Sequence, residues 1–437
     1  MSLTVLKFGG TSVGSPERIR TVAHAIAALR ARGEELAVVV SAMGDTTDRL
    51  LALAAAVAPG VRSPGRELDV LLATGEQHAA ALLALALEER GVRAVSLTGA
   101  QAELMTDGRH GDARIRLIRA RRIRRALAEG CVPVIAGFQG MSASREITTL
   151  GRGGSDTTAV ALAIALGAER CDIYTDVDGV YSADPRVVAD ARRHARLTHQ
   201  EALRLALAGA CVLHARAAAL ALAHHQPLRI LSSLRLGSDD GPAPAGTFID
   251  GAAAVETPQI LGVAAVLDAA RLVLDDVPAG TASTAAVLGA LDAAHVSLDR
   301  LDESRTSDGA CRLSALLRAD RAAEAERAVR EVAGGARIQL QCPVARITIV
   351  GTGVSALGGV VAAALQRLAH AGIEVDAVSI TELGLVLHVA PARADETVRL
   401  LHDALFGAGA QRRERRAAPR RPGLVTPLAA VRAGSAT

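Results

Sequence analysis

The chain carries 49 lysine and arginine residues, and only one of them, Lys7, is a lysine. Such an arginine bias is what a GC-rich genome produces. An ammonium that survives it marks a place where a compact point charge is needed, or one that chance has spared, since guanidinium and ammonium are not interchangeable. Lys7 begins Lys7-Phe8-Gly9-Gly10-Thr11-Ser12, directly after an apolar run. Glycines there let backbone N–H groups approach an anion closely, and the start of the following helix adds its positive end. A lysine at the end of a strand reaches the same phosphates. An ordinary strand-to-helix turn with a surface lysine would carry the same residues.

A second segment, Gly151-Arg152-Gly153-Gly154-Ser155-Asp156-Thr157-Thr158, opens a helix in the same manner. Its three glycines permit tight backbone approach, and Arg152 can grip a carboxylate with two parallel hydrogen bonds. Asp156 falls in the first helical turn, as a cap or as an organiser of catalysis. The plainer alternative is a glycine turn with a capping aspartate. A third segment, Cys171–Arg186, reads CDIYTDVDGVYSADPR. A strand ends at Thr175-Asp176, and a glycine turn then places Tyr181, Asp184 and Arg186 in an irregular loop. Tyr174 and Tyr181 are the only two tyrosines, and they suggest a ring platform for a base, with core packing as the alternative.

Alternating strand and helix patterns position these segments. Strands are expected at Thr4–Phe8, Leu36–Ser41, Ala94–Leu97, Val132–Ala136, Cys171–Thr175 and Leu228–Leu231. Helices are expected at Glu17–Arg32, Glu67–Arg90, Asp112–Glu129, Asp156–Leu166 and Gln200–His224. That alternation predicts an α/β fold with a mostly parallel sheet covered on both faces. A Gly-, Pro- and Asp-rich stretch, Leu236–Gly246, reads as a domain boundary. Two shorter units of β-α-β-β-α-β pattern follow, the ferredoxin-like arrangement, within 259–335 and 343–407. In the first, strands are expected near Gly262–Leu267 and Arg271–Leu274. The residues 408–437 are rich in Arg and Pro, lack periodicity, and read as a disordered basic tail.

Composition excludes several classes of function. Half of the chain is hydrophobic but only 1% is aromatic, so the core must be aliphatic. The formal charge of +3 is small, and no basic patch interleaved with aromatics supports nucleic-acid binding. Five cysteines are scattered singly, which suggests neither a zinc site nor a disulfide framework. The first residues show no leader pattern. No apolar stretch reaches the about 20 residues of a membrane span. A cytoplasmic protein without membrane or nucleic-acid partners is the expectation.

In order and approximate spacing, KFGGTSV, SAMGDTTD, ATGE, TDGRHGDARI, VIAGFQG, GRGGSDTTA and YTDVDGVYSADPR resemble the aspartate kinases of the amino-acid kinase family. The resemblance covers residues 1–235 nearly end to end and, more loosely, the two following units, which look like ACT regulatory domains. It implies a three-layer αβα sandwich with the active site at the carboxyl ends of the strands. It implies transfer of a phosphoryl group from ATP, with Mg²⁺, to the side-chain carboxylate of L-aspartate, the first step toward lysine, threonine and methionine. Lys7 would neutralise the transferring group, and Gly9 and Gly10 would line it with backbone donors. Ser41, Thr47, Glu76, Arg152 and Ser155 would contact the substrate, with Glu76 on its α-ammonium and Arg152 on a carboxylate. Asp156 would organise lysine and substrate. Thr175, Asp176, Tyr181, Asp184 and Arg186 would form the nucleotide pocket. No resident metal ligand is implied, and assembly of like copies through the ACT-like units is.

The chain departs from the family pattern at three places. Cys211 stands where a second lysine usually contacts ATP phosphates, with Arg216 and Arg186 as the available replacements. Gln77 stands where an arginine usually follows the Gly-Glu pair. In the ACT-like units, Ser297-Leu298-Asp299, Glu303 and Leu357-Gly358-Gly359 replace residues that usually shape effector sites. These changes keep two other readings open: a feedback-insensitive relative acting on an aspartate analogue, and a catalytically weakened binding or subunit-partner protein.

Overall fold

The computed structural model describes residues 2–60, 65–210, 212–236, 246–251, 259–305, 310–354 and 358–407. Cys211, Leu357, most of the boundary stretch and the basic tail lie outside the described residues.

The first half is built on an eight-stranded sheet. Its spatial order is Arg196–Leu197, Thr247–Ile249, Leu228–Ser232, Arg170–Thr175, Leu3–Phe8, Glu35–Val40, Val132–Ala136 and Ala94–Leu97. Every neighbouring pair is parallel except Leu228–Ser232 with Thr247–Ile249. Helices cover both faces. Pro16–Ala31 and Arg66–Glu88 pack on one, and Gly154–Leu166, His199–Ala208 and Ala215–His224 on the other. This is the expected three-layer αβα sandwich. Glu35–Val40 and Val132–Ala136 read as nearly continuous apolar runs because both of their faces are buried. The chain leaves Leu3–Phe8 for Glu35–Val40 on one side, while Arg170–Thr175 lies on the other. The carboxyl ends of these three strands therefore frame the crevice where open α/β sheets bind ligands.

Three sequence expectations fail in this half. The segment Asp112–Glu129 is not one helix: Ile115–Ile118 is a strand, and only Arg121–Ala128 is helical. Pairing with Leu104–Thr106 overrides the helix propensity of the arginines. Gln200–His224 is two helices, broken after Ala208 by Gly209, whose φ of 99° is the left-handed cap glycine favours. The helix Arg66–Glu88 is by length and composition capable of crossing a membrane, contrary to the expectation of no such stretch. Half of that apolar stretch is buried inside the protein, and the helix carries Asp69 and Glu76 inward, so it is a core helix.

The second half is one six-stranded antiparallel sheet, ordered Leu298–Arg305, Cys311–Arg318, Gln259–Val277, Arg337–Thr352, Gly384–Val389 and Ala377–Thr381. Two ferredoxin-like units share it. The strands expected near Gly262–Leu267 and Arg271–Leu274 are a single 19-residue strand. Its first part pairs with residues 344–352 and its second part with 311–318 and 337–341. Separate aliphatic cores lie under the two units. One includes Leu272, Leu313 and Val329, and the other Ile347, Leu387 and Leu401.

Candidate active site

Lys7 lies near the end of the central strand, between Val39 and Ile173 of its two neighbours. The residue is 8% exposed, and its Nζ is 2.7 Å from Asp156 Oδ1. A side chain at Gly9 would place its Cβ 3.4 Å from that ammonium, and one at Gly10 would meet the Ala42 carbonyl at 2.8 Å. The two glycines thus keep the face of Lys7 open and let two loops close on each other. Gly44 N donates to Gly10 O at 3.0 Å, and Ser41 N to Phe8 O at 3.0 Å. Ser41 is half-buried at this junction. Thr47, also half-buried, sits in the first turn of the helix Thr46–Val57 that follows.

The helix Gly154–Leu166 starts from Gly153, whose φ is 70°. A Cβ at Gly153 would lie 2.1 Å from His214 Cγ, so only glycine fits. Burial pushes the His214 imidazole below its usual range. Asp156 occupies the first turn, where a carboxylate suits the positive end of the helix. Ser155 is buried beside Gly137, where an added Cβ would come within 2.8 Å of Ser155 Oγ. Arg152 is exposed at the mouth of the loop.

Glu76 reaches the site from the buried face of the helix Arg66–Glu88. Its Oε1 accepts from Ala42 N at 3.0 Å, and its buried Oε2 has no partner. Burial pushes its carboxyl up to about 7, although the Ala42 N–H favours the charged form. A buried carboxylate with one free oxygen suits an ammonium ligand. Sequence reasoning missed Asp69, seven residues earlier on the same helix face. Asp69 is 1% exposed. It accepts hydrogen bonds from His110 Nδ1 at 2.8 Å, Thr149 N at 3.0 Å and Thr149 Oγ1 at 2.5 Å. It thereby ties the Asp107–Asp112 loop to the segment that leads into Gly151. Its signal was available, an acidic residue two turns before Glu76 with apolar neighbours on both sides.

The third group lies apart from the first two. Thr175 and Asp176 end their strand, and Thr175 Oγ1 donates to Asp176 Oδ1 at 3.0 Å. Asp176, Tyr181, Asp184 and Arg186 line a cleft of about 180 Å³. Tyr181 OH donates to Asp178 Oδ1 at 2.6 Å. The Arg186 guanidinium grips Asp184 through Nε at 3.0 Å and Nη2 at 2.8 Å, and holds its carboxyl below the usual range. Tyr174 does not join this cleft. It is buried and stacked on Phe8 with ring centroids 4.8 Å apart, so core packing explains it. Arg216, a candidate to replace the missing lysine, is committed elsewhere. It donates to the carbonyls of Leu150 and Ala113 and to Asp112. Gln77 donates to Gln139, which in turn donates to Ala73 O, so this departure is absorbed in a local network. Glu303 accepts from Thr284 Oγ1 at 2.9 Å.

A glycine turn beside a lysine, a facing helix N-terminus and a separate cleft beyond the next strand are an arrangement that suits a phosphotransferase of the α/β class. A model of the amino acid kinase family matches residues 2–232, and the chain belongs to that family. Its relatives there are aspartate kinases. It is 41% identical to the aspartate kinase of Pseudomonas fluorescens over 407 residues, 92% of this chain and 97% of that one. It is also 41% identical to the aspartokinase of Geobacillus stearothermophilus over 93% and 98% of the two chains. Among solved structures, Escherichia coli aspartokinase III in complex with aspartate and ADP superposes with a TM-score of 0.79 at 26% identity. That match covers 92% of this chain and all of the other.

Proposed function

We propose that the protein is an aspartate kinase, transferring the γ-phosphoryl group of ATP to the β-carboxylate of L-aspartate. The observation that carries this reading is the Lys7–Asp156 pair, set between an open glycine turn and a helix N-terminus. An oxygen of the substrate carboxylate forms the new bond to phosphorus while the bond from phosphorus to the ADP oxygen breaks. The attacking carboxylate is already ionised near neutral pH, so no proton has to be removed. Catalysis is then positioning and charge neutralisation. Lys7 supplies the cation at the transferring group, and Asp156 fixes where that cation points. Backbone donors of Gly9 and Gly10 line the same group. Glu76 takes the α-ammonium on its free oxygen, and Arg152 takes a carboxylate. Ser41, Thr47 and Ser155 complete the substrate side, and Thr175, Asp176, Tyr181, Asp184 and Arg186 the nucleotide side.

Among the described residues no group of three or more His, Cys, Asp and Glu could hold a metal ion. Mg²⁺ would arrive on the nucleotide phosphates as part of the substrate. We assign catalysis to residues 1–235 and ACT-type regulation or assembly to 259–335 and 343–407. The edge strand Ala377–Thr381 exposes Val378 and Ile380, and an unpaired apolar edge suits a second copy of the chain. An ATP-dependent reaction of this kind belongs in the cytoplasm.

The direct test is aspartate-dependent ADP formation, with the acyl phosphate trapped by hydroxylamine. Hydroxamate should appear only with aspartate, ATP and Mg²⁺ together. Folded protein that gives none above the aspartate-free control would exclude the assignment.

A further inference from the structure

The loop that carries Tyr181, Asp184 and Arg186 belongs to the catalytic half by sequence and to the other half by packing. Ala183 and Val188 are 5% and 4% exposed, and the cluster they join is built from Ile347, Leu387, Val398 and Leu405. Neither core of the catalytic sheet includes them. Polar ties follow the same route. Val263 N, on the shared strand Gln259–Val277, donates to Ser182 O at 2.7 Å. Ser182 Oγ accepts from Arg192 N at 2.9 Å and lies 2.9 Å from His402 Nε2. Arg192 Nη2 donates to the carbonyl of Phe406 at 2.6 Å. His402 is 2% exposed, and its ring stacks on Phe406 with centroids 4.8 Å apart. Burial pushes His402 below its usual range, which favours a neutral ring accepting the Ser182 hydroxyl hydrogen at Nε2. The walls of the cleft repeat the arrangement. Val263, Ala264, Asp395 and Val398 face Tyr181, Asp184 and Arg186 across it.

We propose that His402 is a positioning residue for the nucleotide, holding through Ser182 the loop whose Tyr181, Asp184 and Arg186 contact ATP. This rests on the assignment of those three residues to the nucleotide side. A surface loop is ordered only if its contacts outweigh the entropy of fixing it. Here those contacts come from the final helix, Ala394–Phe406, and from the shared strand, beyond the anchor that Val180 makes in the first half through its burial and its N–H to Thr247 Oγ1. When that helix is unseated, the competent loop conformation becomes a fraction of the ensemble, and nucleotide affinity falls by the same fraction. Among the described residues no hydrogen bond ties Glu76, Arg152 or Asp156 to the final helix, and the one link of the aspartate side to the other half is the charge of Arg152 on Asp320, so the aspartate side should respond far less to the change.

The test uses the full chain and reads ADP binding by calorimetry, the separate KM values for MgATP and aspartate, and thermal stability. His402→Ala and Ser182→Ala should each weaken ADP binding and raise the KM for MgATP by about tenfold, as expected for a lost buried hydrogen bond. The KM for aspartate should stay within about twofold in both. The double variant should lose clearly less than the two single losses combined, because both remove the same link, although Ser182→Ala also removes the acceptor of Arg192 N and His402→Ala the stacking on Phe406. His402→Gln, whose amide oxygen can accept the Ser182 hydroxyl, should recover most of the loss. If His402→Ala does not fold, Ser182→Ala removes only a hydroxyl and delivers the same readout. Equal losses toward both substrates, or unchanged ADP binding, overturn the positioning role. Arg186→Ala separates the two levels. If it leaves ADP binding intact, the nucleotide assignment falls and the proposal with it. If it weakens ADP binding while Ser182→Ala does not, the proposal alone falls.

Discussion

The two large sheets are built on opposite plans. Helices cover both faces of the parallel sheet, and Leu3–Phe8, Glu35–Val40 and Val132–Ala136 are buried almost throughout. The antiparallel sheet packs its own helices on one face, while the helix His199–Ala208 covers part of the other, where Leu261, Ala264 and Val350 join the core of the parallel sheet. Its edge strand Leu298–Arg305 is largely exposed, and Ala377–Thr381 alternates. A doubly covered sheet admits charge on its faces only when it is paired, as Asp172 is with Arg170 and Arg229, and Lys7 and Thr175 lie toward the strand ends. The antiparallel sheet keeps several arginines beside its buried histidine: burial, followed by Arg271, Arg346 and Arg300, pushes His388 down to about 4. Chemistry at strand ends should therefore be sensitive to single charges, and the other sheet to changes of packing and edge.

The largest effect is expected at Lys7. Lys7→Ala should lower hydroxamate formation on the order of a hundred- to a thousandfold, as for loss of an oriented charge at a reacting centre. Lys7→Arg should not restore it, because a fork cannot replace a point charge beside Gly9. Circular dichroism should show both variants folded. Activity retained in Lys7→Ala would break the strand-end half of the comparison.

Glu76→Gln and Arg152→Ala should raise the KM for aspartate by about ten- to a hundredfold, the cost of a charge-assisted hydrogen bond. ATP binding should be unchanged, and an effect on ATP alone would mean that the pockets are exchanged. Glu76 also predicts a pH dependence. With its carboxyl at about 7 in the free protein, the ammonium-binding form is lost as the pH falls through that value. The KM for aspartate should then rise by up to about tenfold per pH unit, and Glu76→Gln should flatten the profile. Stability has the opposite sign. A carboxyl raised from 4.5 to about 7 costs the fold nothing below the unfolded value. The cost grows between the two and is complete above the folded value. At pH 8, Glu76→Gln should therefore stabilise the unliganded protein, by an amount on the order of 3 kcal/mol. A melting series from pH 5 to 8 measures it.

A smaller change is expected at Cys211. If Arg186 supplies the missing cation, Cys211→Lys should alter kcat by less than about tenfold. A larger gain at unchanged melting temperature would mean that the cation is not replaced. A collapse in stability would mean that Cys211 does not occupy the lysine position. The smallest kinetic effect belongs to the exposed edge. Ile380→Asp should reduce the mass seen by light scattering while leaving the rate per chain nearly unchanged. An unaltered mass would remove Ala377–Thr381 as an interface.

Local order was legible in the sequence. Short, mostly apolar runs ending in turns marked the central strands, because both faces of those strands are covered. Gly9, Gly10 and the Gly151–Gly154 turn were visible because only glycine allows such backbone approach. The periodicity of the second half showed two ferredoxin-like units. It did not show that Gln259–Val277 joins them, since the first part of that strand pairs with residues nearly ninety positions away. Tertiary structure alone set Lys7 against Asp156, gave Glu76 its free oxygen, removed Tyr174 into the core and committed Arg216 to Leu150 and Ala113. It also seated Ala183 and Val188 in the core of the other half. The physical reason is one of range. Backbone sterics and side-chain period act between near neighbours and are written in short stretches of sequence. Burial and ion pairing act between whatever the fold brings together.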